Sequence, residues 1–144
     1  MKKSSIKKLL AASLAGVSLV VSAAAFSGVS VVVHPSNSNE MSKSDITRIF
    51  LGKKKSYPDG GEAIPVDQAE GSATRSAFVS TVLKKNGQQI KAYWAQLLFT
   101  GKGTPPKEVG GSGDVKKLVS ENPALIGYID SGEVDGSVKV VHEF

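Results

Sequence analysis

Residues 63–85 decide the fold, and they read AIPVDQAEGSATRSAFVSTVLKK. The first part, Ala63 to Asp67, predicts a short β-strand, with Pro65 near its start or on a sheet edge. A helix is predicted from Arg75 to Lys85, because apolar residues recur along it at helical spacing. The two are joined by the tight connection at residues 70–74. A strand that passes directly into a helix is the unit from which α/β sheets are built.

The sequence before this unit predicts one more strand and a short helix. Val29 to Val33 is a β-branched run ahead of a proline, and its nearly continuous apolarity is typical of a strand buried on both faces of a sheet. The helix begins near Ser42 or Ser44, either of which can cap it. It carries apolar residues at i, i+3 and i+4, and it ends at Gly52, where a left-handed C-cap is expected.

The sequence after this unit continues the alternation of helices and strands. A second amphipathic helix is predicted, with Leu98 among the side chains that face inward, and a loop rich in Gly and Pro spans residues 103–113. The further elements are predicted at residues 88–99 (helix), from Asp114 (helix), and at residues 124–129 and 137–141 (strands). The fold class is therefore α/β, a three-layer-like arrangement in which helices flank a mixed, mostly parallel sheet.

The first 25 residues have the pattern of a secretory signal peptide. Residues 1–8 are basic, residues 9–21 are apolar, and small residues then permit cleavage after Ala23 or Ala25. The alternative is a membrane anchor. We favour the signal peptide, because the apolar run is shorter than the roughly 20 residues that a spanning helix needs and no stop-transfer charges follow it.

This interpretation leaves one domain, residues 26–144, in the mature protein. No Cys follows the apolar run, so a lipoprotein anchor is not expected, and the mature form should be periplasmic or secreted and free of the membrane. The absence of Cys also excludes disulfides and thiolate chemistry, so the domain must be stable through burial alone.

Charge gives no support for nucleic-acid binding. Four lysines of the first 25 residues leave 14 of the 18 basic residues in the mature part, against 13 acidic ones. The one remaining basic run, Lys53 to Lys55, is interpreted as a solvated loop. The charge balance therefore does not support a general basic surface for nucleic acid.

The connection Gly71-Ser72-Ala73-Thr74-Arg75 is the candidate binding site. A helix N-terminus offers free backbone N–H groups and partial positive charge, and Gly71 permits close approach of the backbone to a ligand. With the hydroxyls of Ser72 and Thr74, this turn could hold an oxyanion without a metal. The alternative is that Ser72 or Thr74 simply caps the helix, which is a common use of these residues. Arg75 is interpreted as a surface residue of the helix.

Several motifs in order resemble the periplasmic substrate-binding proteins of phosphate ABC transporters. The segment 71–75 resembles the GSGTR turn of that family, and the likeness extends over about residues 31–141. The other matching segments are Val31 to Asn37, Ile49-Phe50-Leu51-Gly52, Tyr57-Pro58-Asp59-Gly60 and Asn122 to Tyr128. Proteins of this family have two lobes that close on the ligand, so the resemblance implies that this chain is a single lobe of the type II fold.

The resemblance also implies which residues would contact an oxyanion such as phosphate. These are Gly71, Ser72, Ala73 and Thr74, together with Gln68, which stands where the family commonly has an Arg. Without that Arg the site loses a bidentate charged clamp, and an open half-site leaves the ligand wet. We therefore expect weak phosphate binding, or none, by the lone monomer.

The chain offers no constellation for catalysis, cofactor or metal binding. His34 and His142 are far apart in sequence, and two His residues without Cys or clustered acids do not make a metal site. No nucleophile, base and orienting group fall into a recognisable order, so an enzyme is not expected. The alternative to solute binding is a protein-interaction or structural module, in which the face that would meet a second lobe binds a partner protein or a second copy in a homodimer.

Overall fold

The computed structural model describes residues 27–144, and the predicted signal peptide lies outside these residues. The described part contains five strands and four α-helices, with a 3₁₀ turn at Ser131–Glu133. In chain order the elements are β1 (Val29–Val33), α1 (Lys43–Phe50), β2 (Ile64–Asp67), α2 (Ala73–Thr81), α3 (Gly87–Phe99), β3 (Lys107–Glu108), α4 (Ser112–Glu121), β4 (Leu125–Asp130) and β5 (Lys139–Glu143).

The strands form one mixed sheet in the order β3-β2-β4-β1-β5. Strand β2 pairs in parallel with β3 and β4, whereas β1 pairs antiparallel with β4 and β5. The mixed α/β sheet is confirmed, and four of its five strands run in the same direction. Strand β1 alone runs against the others, and because it lies between β4 and β5 it makes both of the antiparallel pairings.

Helices cover both faces of this sheet, so the fold has three layers. On one face, α1, α2 and α3 pack over Val31, Ile126 and Tyr128 in the larger apolar core. On the other face, α4 packs over Val32 and its neighbours in the smaller core. Every residue of β1 is at most 1% exposed, which confirms the strand predicted to be buried on both faces.

Three local features differ from the sequence-based expectations. Helix α2 ends at Thr81 instead of Lys85, because the chain turns there and Lys84 adopts a φ of 55°. The short strand β3 lies in the segment predicted as a loop, where too few residues pair to leave a strand signal. Leu98 is 52% exposed, since α3 reaches beyond the core at its C-terminal end.

Helix α4 lies very close to β4, and Gly127 makes this approach possible. A Cβ atom at Gly127 would lie 2.4 Å from the Cγ1 atom of Val115 and 3.1 Å from the Cγ2 atom of Val66. Because the helix runs back along its strand, its N-terminus reaches the carboxyl end of β4, where Asp130 donates its backbone N–H to the Ser112 hydroxyl (3.0 Å). Among residues 27–144, no helix combines the length and the apolarity that crossing a membrane requires.

Candidate functional site

A cleft of about 400 Å³ opens at the carboxyl ends of the parallel strands β2 and β4. Ligands of open α/β sheets commonly bind at this edge, because loops and helix N-termini converge there. The N-termini of α2 and α4 both reach the cleft. Its polar side chains include Gln68, Ser72, Thr74, Ser112, Asp130 and Glu133.

Ser72 is the N-cap of α2, and its hydroxyl is fully used within the protein. The Oγ atom accepts a hydrogen bond from the backbone N–H of Arg75 (3.2 Å) and donates to Oε1 of Gln68 (2.6 Å). Its backbone N–H donates to the carbonyl of Ala69 (3.2 Å). Ser72 therefore has the capping role that the sequence left as an alternative, and its proton is directed at Gln68 and not at the cleft.

Gln68 holds three elements together beneath the cleft. Its side-chain amide donates to the Ser112 hydroxyl (3.1 Å) and to the carbonyl oxygen of Tyr128 (2.9 Å), and the residue is only 1% exposed. Both amide protons already have protein acceptors. Gln68 therefore holds the N-termini of α2 and α4 against the end of β4. Binding of an anion by Gln68 itself stays a prediction.

The donors that remain available belong to the two helix N-termini. Within the described residues, the backbone N–H groups of Ala73 and Thr74 have no acceptor, and the Thr74 hydroxyl also makes no hydrogen bond. In α4, the N-cap is Gly111, which has no side chain to satisfy the first turn. The Ser112 hydroxyl accepts two hydrogen bonds, from Gln68 and Asp130, so its own proton is free to point elsewhere.

The predicted site residues are only partly brought together. Gln68, Ser72 and Thr74 line the cleft. Gly71 has a φ of +93°, which favours glycine, but it lines the neighbouring hollow between α2 and α3. Ala73 lines neither cavity, although its backbone N–H belongs to the exposed first turn of α2. The roles of Gly71, Ser72, Ala73 and Thr74 as ligand contacts stay predictions.

The electrostatic character of the cleft comes from the backbone and from two acids. None of its described lining residues is Lys, Arg or His, whereas Asp130 and Glu133 both contribute carboxylates. One Asp130 oxygen accepts the backbone N–H of Gly132 (2.8 Å), and the other has no partner among the described residues. The cleft thus presents the positive ends of two helix dipoles beside two negative side chains.

Arg75 is not the surface residue that the sequence suggested. Its side chain is 17% exposed, and it forms ion pairs with Glu108 and with Asp67, the latter at 3.7 Å. It also donates to the backbone carbonyl of Gln68 (2.9 Å). The reason is the strand β3, which brings Glu108 beside β2. Arg75 therefore fixes the end of β2 from outside the cleft.

A buried carboxyl and phenol lie directly behind this arginine. The Tyr128 hydroxyl donates a hydrogen bond to Asp67, and it accepts one from the backbone N–H of Gln68 (3.2 Å). Burial raises the pKa of Asp67 above its usual value, although Tyr128 and the charge of Arg75 act in the opposite direction. Burial together with the Asp67 charge raises the pKa of Tyr128. Tyr128 therefore stays protonated and anchors the end of β2 to β4.

Sequence reasoning missed the contributions of α4 and the 3₁₀ turn. Ser112 fell within the predicted loop at residues 103–113, and Asp130 and Glu133 fell between the predicted strands at residues 124–129 and 137–141. Gly110-Gly111 just before Ser112 was the available signal, because a glycine N-cap leaves the first-turn N–H groups without a side-chain acceptor. Only the parallel pairing of β2 with β4 brings this turn to the α2 N-terminus.

Comparison with known proteins identifies the fold. No model of a known protein family matches the chain, and no curated protein sequence matches it. Solved structures do match. One is a protein of Clostridium perfringens, assigned as a phosphate ABC transporter substrate-binding protein and solved with bound phosphate. It is 25% identical with a TM-score of 0.62, and the match covers 79% of this chain and 44% of that one.

Two further solved structures give the same result. An ABC-type phosphate transport receptor from Vibrio cholerae is 21% identical with a TM-score of 0.62, over 80% of this chain and 45% of that one. PstS from Borrelia burgdorferi is 14% identical with a TM-score of 0.59, over 79% and 46% of the two chains. The chain thus has the α/β fold of one lobe of these proteins, and it spans less than half their length.

Proposed function

We propose that the protein binds an inorganic oxyanion of the phosphate class in the cleft between the N-termini of α2 and α4. The observation that carries this proposal is the set of unpaired donors at the two helix starts, which lie across one cleft at the carboxyl edge of β2 and β4. Anions bind at helix N-termini because free N–H groups and the helix dipole both favour negative charge. Two of the matched proteins are assigned to phosphate transport, which supports binding over catalysis.

The two carboxylates make the protonation state of the anion important. An ionised carboxylate only accepts hydrogen bonds, so Asp130 favours an anion that carries its own proton. Phosphate is partly monoprotonated and partly diprotonated near neutral pH, whereas sulfate carries no proton. Because no basic side chain offsets Asp130 and Glu133, the affinity should be low, and phosphate should bind more tightly than sulfate.

Isothermal titration of residues 26–144 with phosphate and sulfate tests this proposal. We expect measurable phosphate binding, weaker sulfate binding, and at least a tenfold loss of phosphate affinity in the double variant Thr74→Val/Ser112→Ala. The matched control is Thr100→Val/Ser80→Ala, whose hydroxyls bond to carbonyls of their own helices away from the cleft. No heat with millimolar phosphate, or equal losses in both double variants, would refute the proposal.

Export of the protein is a separate part of the proposal. The basic and apolar segments of residues 1–25 support secretion to the periplasm or the medium. Expression of the full chain in a bacterium, followed by fractionation and N-terminal sequencing, tests it. We expect a soluble exported form that begins at Ala24 or Phe26. A chain that retains Met1 in the cytoplasm or the membrane pellet would contradict export.

A second candidate function is that of an interaction module in which another protein covers the cleft. The supporting observation is that the chain spans only 44–46% of the solved proteins whose fold it shares. A second copy or a separate protein could then supply the opposite wall of the site. Light scattering with and without phosphate distinguishes the two candidate functions. Dimers that form only with phosphate support a site shared between two copies. Monomers in both conditions favour anion binding by the single lobe alone.

A further inference from the structure

A second surface, unrelated to the cleft, lies at the beginning of β2. Here a groove of about 260 Å³ runs between the loop that follows α1 and the segment that leads into β3. Ile49 and Trp94, which belong to the core, lie at its base, and Ile64 and Pro105 line it nearer to solvent. Ile64 is 38% exposed, which is unusual for a large apolar strand residue in this chain. We name this surface the lysine-rimmed groove.

The base of the groove is held in place by close packing. Gly52 has a φ of +72°, and a Cβ atom there would lie 3.3 Å from the Trp94 ring, so the loop backbone lies directly against the indole. On the preceding residue of α3, the Tyr93 hydroxyl donates to the carbonyl of Leu51 (2.6 Å). The groove is therefore preformed, and a partner would not have to order its base on binding.

Lysines surround this apolar base. Lys54, Lys55 and Lys107 line the groove, and Lys102 lines a hollow of about 320 Å³ that continues it past Lys55 towards Leu98. Lys54 is paired with Asp45 at 3.0 Å. The other three have no ion-pair partner within residues 27–144.

The charge of this surface differs sharply from that of the rest of the mature chain. The groove and its continuation contain four lysines and a single acid, Glu62. The mature sequence as a whole has nearly equal numbers of bases and acids. A local excess of one charge around an exposed apolar base favours a partner of the opposite charge that also carries an apolar group.

The size of the groove selects between kinds of partner. The groove of about 260 Å³ and the hollow of about 320 Å³ that continues it form one elongated surface, whereas small-molecule sites commonly enclose most of the ligand in a single cavity. This shape suits an extended protein segment with one large apolar side chain over the base of the groove. Ile49 and Trp94 at the base are 1% and 9% exposed, whereas Lys55, Lys102 and Lys107 are exposed, so the apolar base is recessed behind lysines. This arrangement favours a peptide segment over a lipid surface.

We propose that the lysine-rimmed groove docks an acidic segment of a partner protein. An apolar side chain of that segment packs over Trp94 and Ile64, while carboxylates on either side of it pair with Lys55, Lys102 and Lys107. This surface lies at the opposite end of β2 from the anion cleft, so docking here is independent of anion binding.

Trp94 is the one tryptophan of the chain, so its fluorescence reports directly on this groove. The probe is a blocked nine-residue peptide with a central Phe flanked by four Asp or Glu residues on either side. We expect saturable change in Trp94 emission, with at least tenfold weaker binding at 500 mM than at 50 mM salt, because the lysines are exposed and screened. Matched peptides with Ser in place of the Phe, or Lys in place of the acids, should bind at least tenfold more weakly.

Variants locate the interaction. We expect Lys55→Glu/Lys107→Glu and Ile64→Ser each to weaken peptide binding at least tenfold, while Lys84→Glu/Lys117→Glu, which changes two exposed lysines elsewhere, leaves it unchanged. Circular dichroism establishes that each variant is folded. Absence of any Trp94 response to 1 mM acidic peptide overturns the proposal. Equal binding of the acidic and Lys peptides, or sedimentation with phosphatidylglycerol vesicles in place of peptide binding, overturns it as well.

Discussion

The two ends of strand β2 carry two very different surfaces. At its carboxyl end, after Asp67, the cleft draws its positive character from helix N-termini and contains no basic side chain among its described lining residues. At its beginning, around Ile64, the groove draws its charge from exposed lysines and its apolar character from Trp94 and Pro105. One surface is built from the backbone and the other from side chains.

This difference shows how each surface depends on the fold. Donors of the backbone are fixed by the positions of α2 and α4, so the cleft exists only while Gln68 and Gly127 hold those helices against the sheet. Lysine side chains are flexible and need only a stable base beneath them. Changes in the interior should therefore damage the cleft far more than the groove, and changes in surface charge should do the reverse.

The largest effect is expected for Gln68→Leu. This change leaves the Ser72 hydroxyl and the Tyr128 carbonyl without their buried partner, and each such loss costs about 1 to 3 kcal/mol. We expect the free energy of unfolding to fall by about 2 to 4 kcal/mol in urea denaturation, with loss of phosphate binding. The control is Gln88→Leu on the exposed face of α3, which should be nearly neutral. Equal phosphate affinity in Gln68→Leu and wild type would show that the hydrogen bonds of the Gln68 side chain are not needed for phosphate binding.

Gly127→Ala should have the next largest effect. The added methyl group would meet Val115, a β-branched side chain with little freedom to move aside, so α4 must shift from the sheet. We expect a loss of about 1 to 3 kcal/mol in unfolding free energy. In the folded protein, phosphate affinity should fall while the Trp94 response to the acidic peptide persists.

Gly136→Ala serves as the control for this substitution, because a Cβ atom at Gly136 meets no atom within 4 Å. If Gly127→Ala loses both phosphate binding and peptide binding, the cleft and the lysine-rimmed groove do not depend on the interior in different ways.

Ser72→Ala separates capping from ligand binding. Loss of an N-cap serine costs about 1 kcal/mol, so we expect a destabilisation of that size in thermal or urea unfolding. Because the Ser72 proton is given to Gln68, phosphate affinity should fall far less than in the Thr74→Val/Ser112→Ala variant. If titration shows an equal loss in both, the hydroxyl of Ser72 does turn to the anion, as the sequence resemblance implied.

The sequence allowed the framework of the fold to be predicted but only half of the candidate site. Val29 to Val33 was recognisable as a buried strand because its composition is intrinsic to the segment. Thr74 was recognisable because it lies at a strand-to-helix junction in one continuous stretch. Ser112 could not be found in this way, because it meets Gln68 only through pairing of strands that are about 60 residues apart in sequence.

The same limit explains the errors around β3 and Arg75. A two-residue strand leaves no periodic signal, and without it Glu108 has no reason to be placed beside an arginine of α2. The sequence analysis placed Lys54 and Lys55 in a solvated loop, and the structure places them in a loop. Their proximity to Lys107 around one groove depends on how that loop packs against the start of β2, which the sequence does not reveal.

The smallest effect expected is the pH dependence of unfolding free energy that comes from Asp67. This residue lies at the cleft end of β2, away from the lysine-rimmed groove. Burial raises the pKa of this carboxyl in the folded chain, so the folded state holds the proton more tightly than the unfolded state does. The contribution of such a group to stability is greatest below the unfolded pKa, near 4, and decreases as the pH rises through the folded pKa.

Asp67→Asn keeps an oxygen that can accept the Tyr128 hydrogen bond but removes the titration. In urea unfolding, the stability of the wild type relative to Asp67→Asn should therefore decrease from pH 4 to pH 7. The difference between wild type and Glu121→Gln, an exposed control, should change less. A wild-type advantage over Asp67→Asn that grows with pH would mean that the ion pair with Arg75 outweighs burial at this end of the strand.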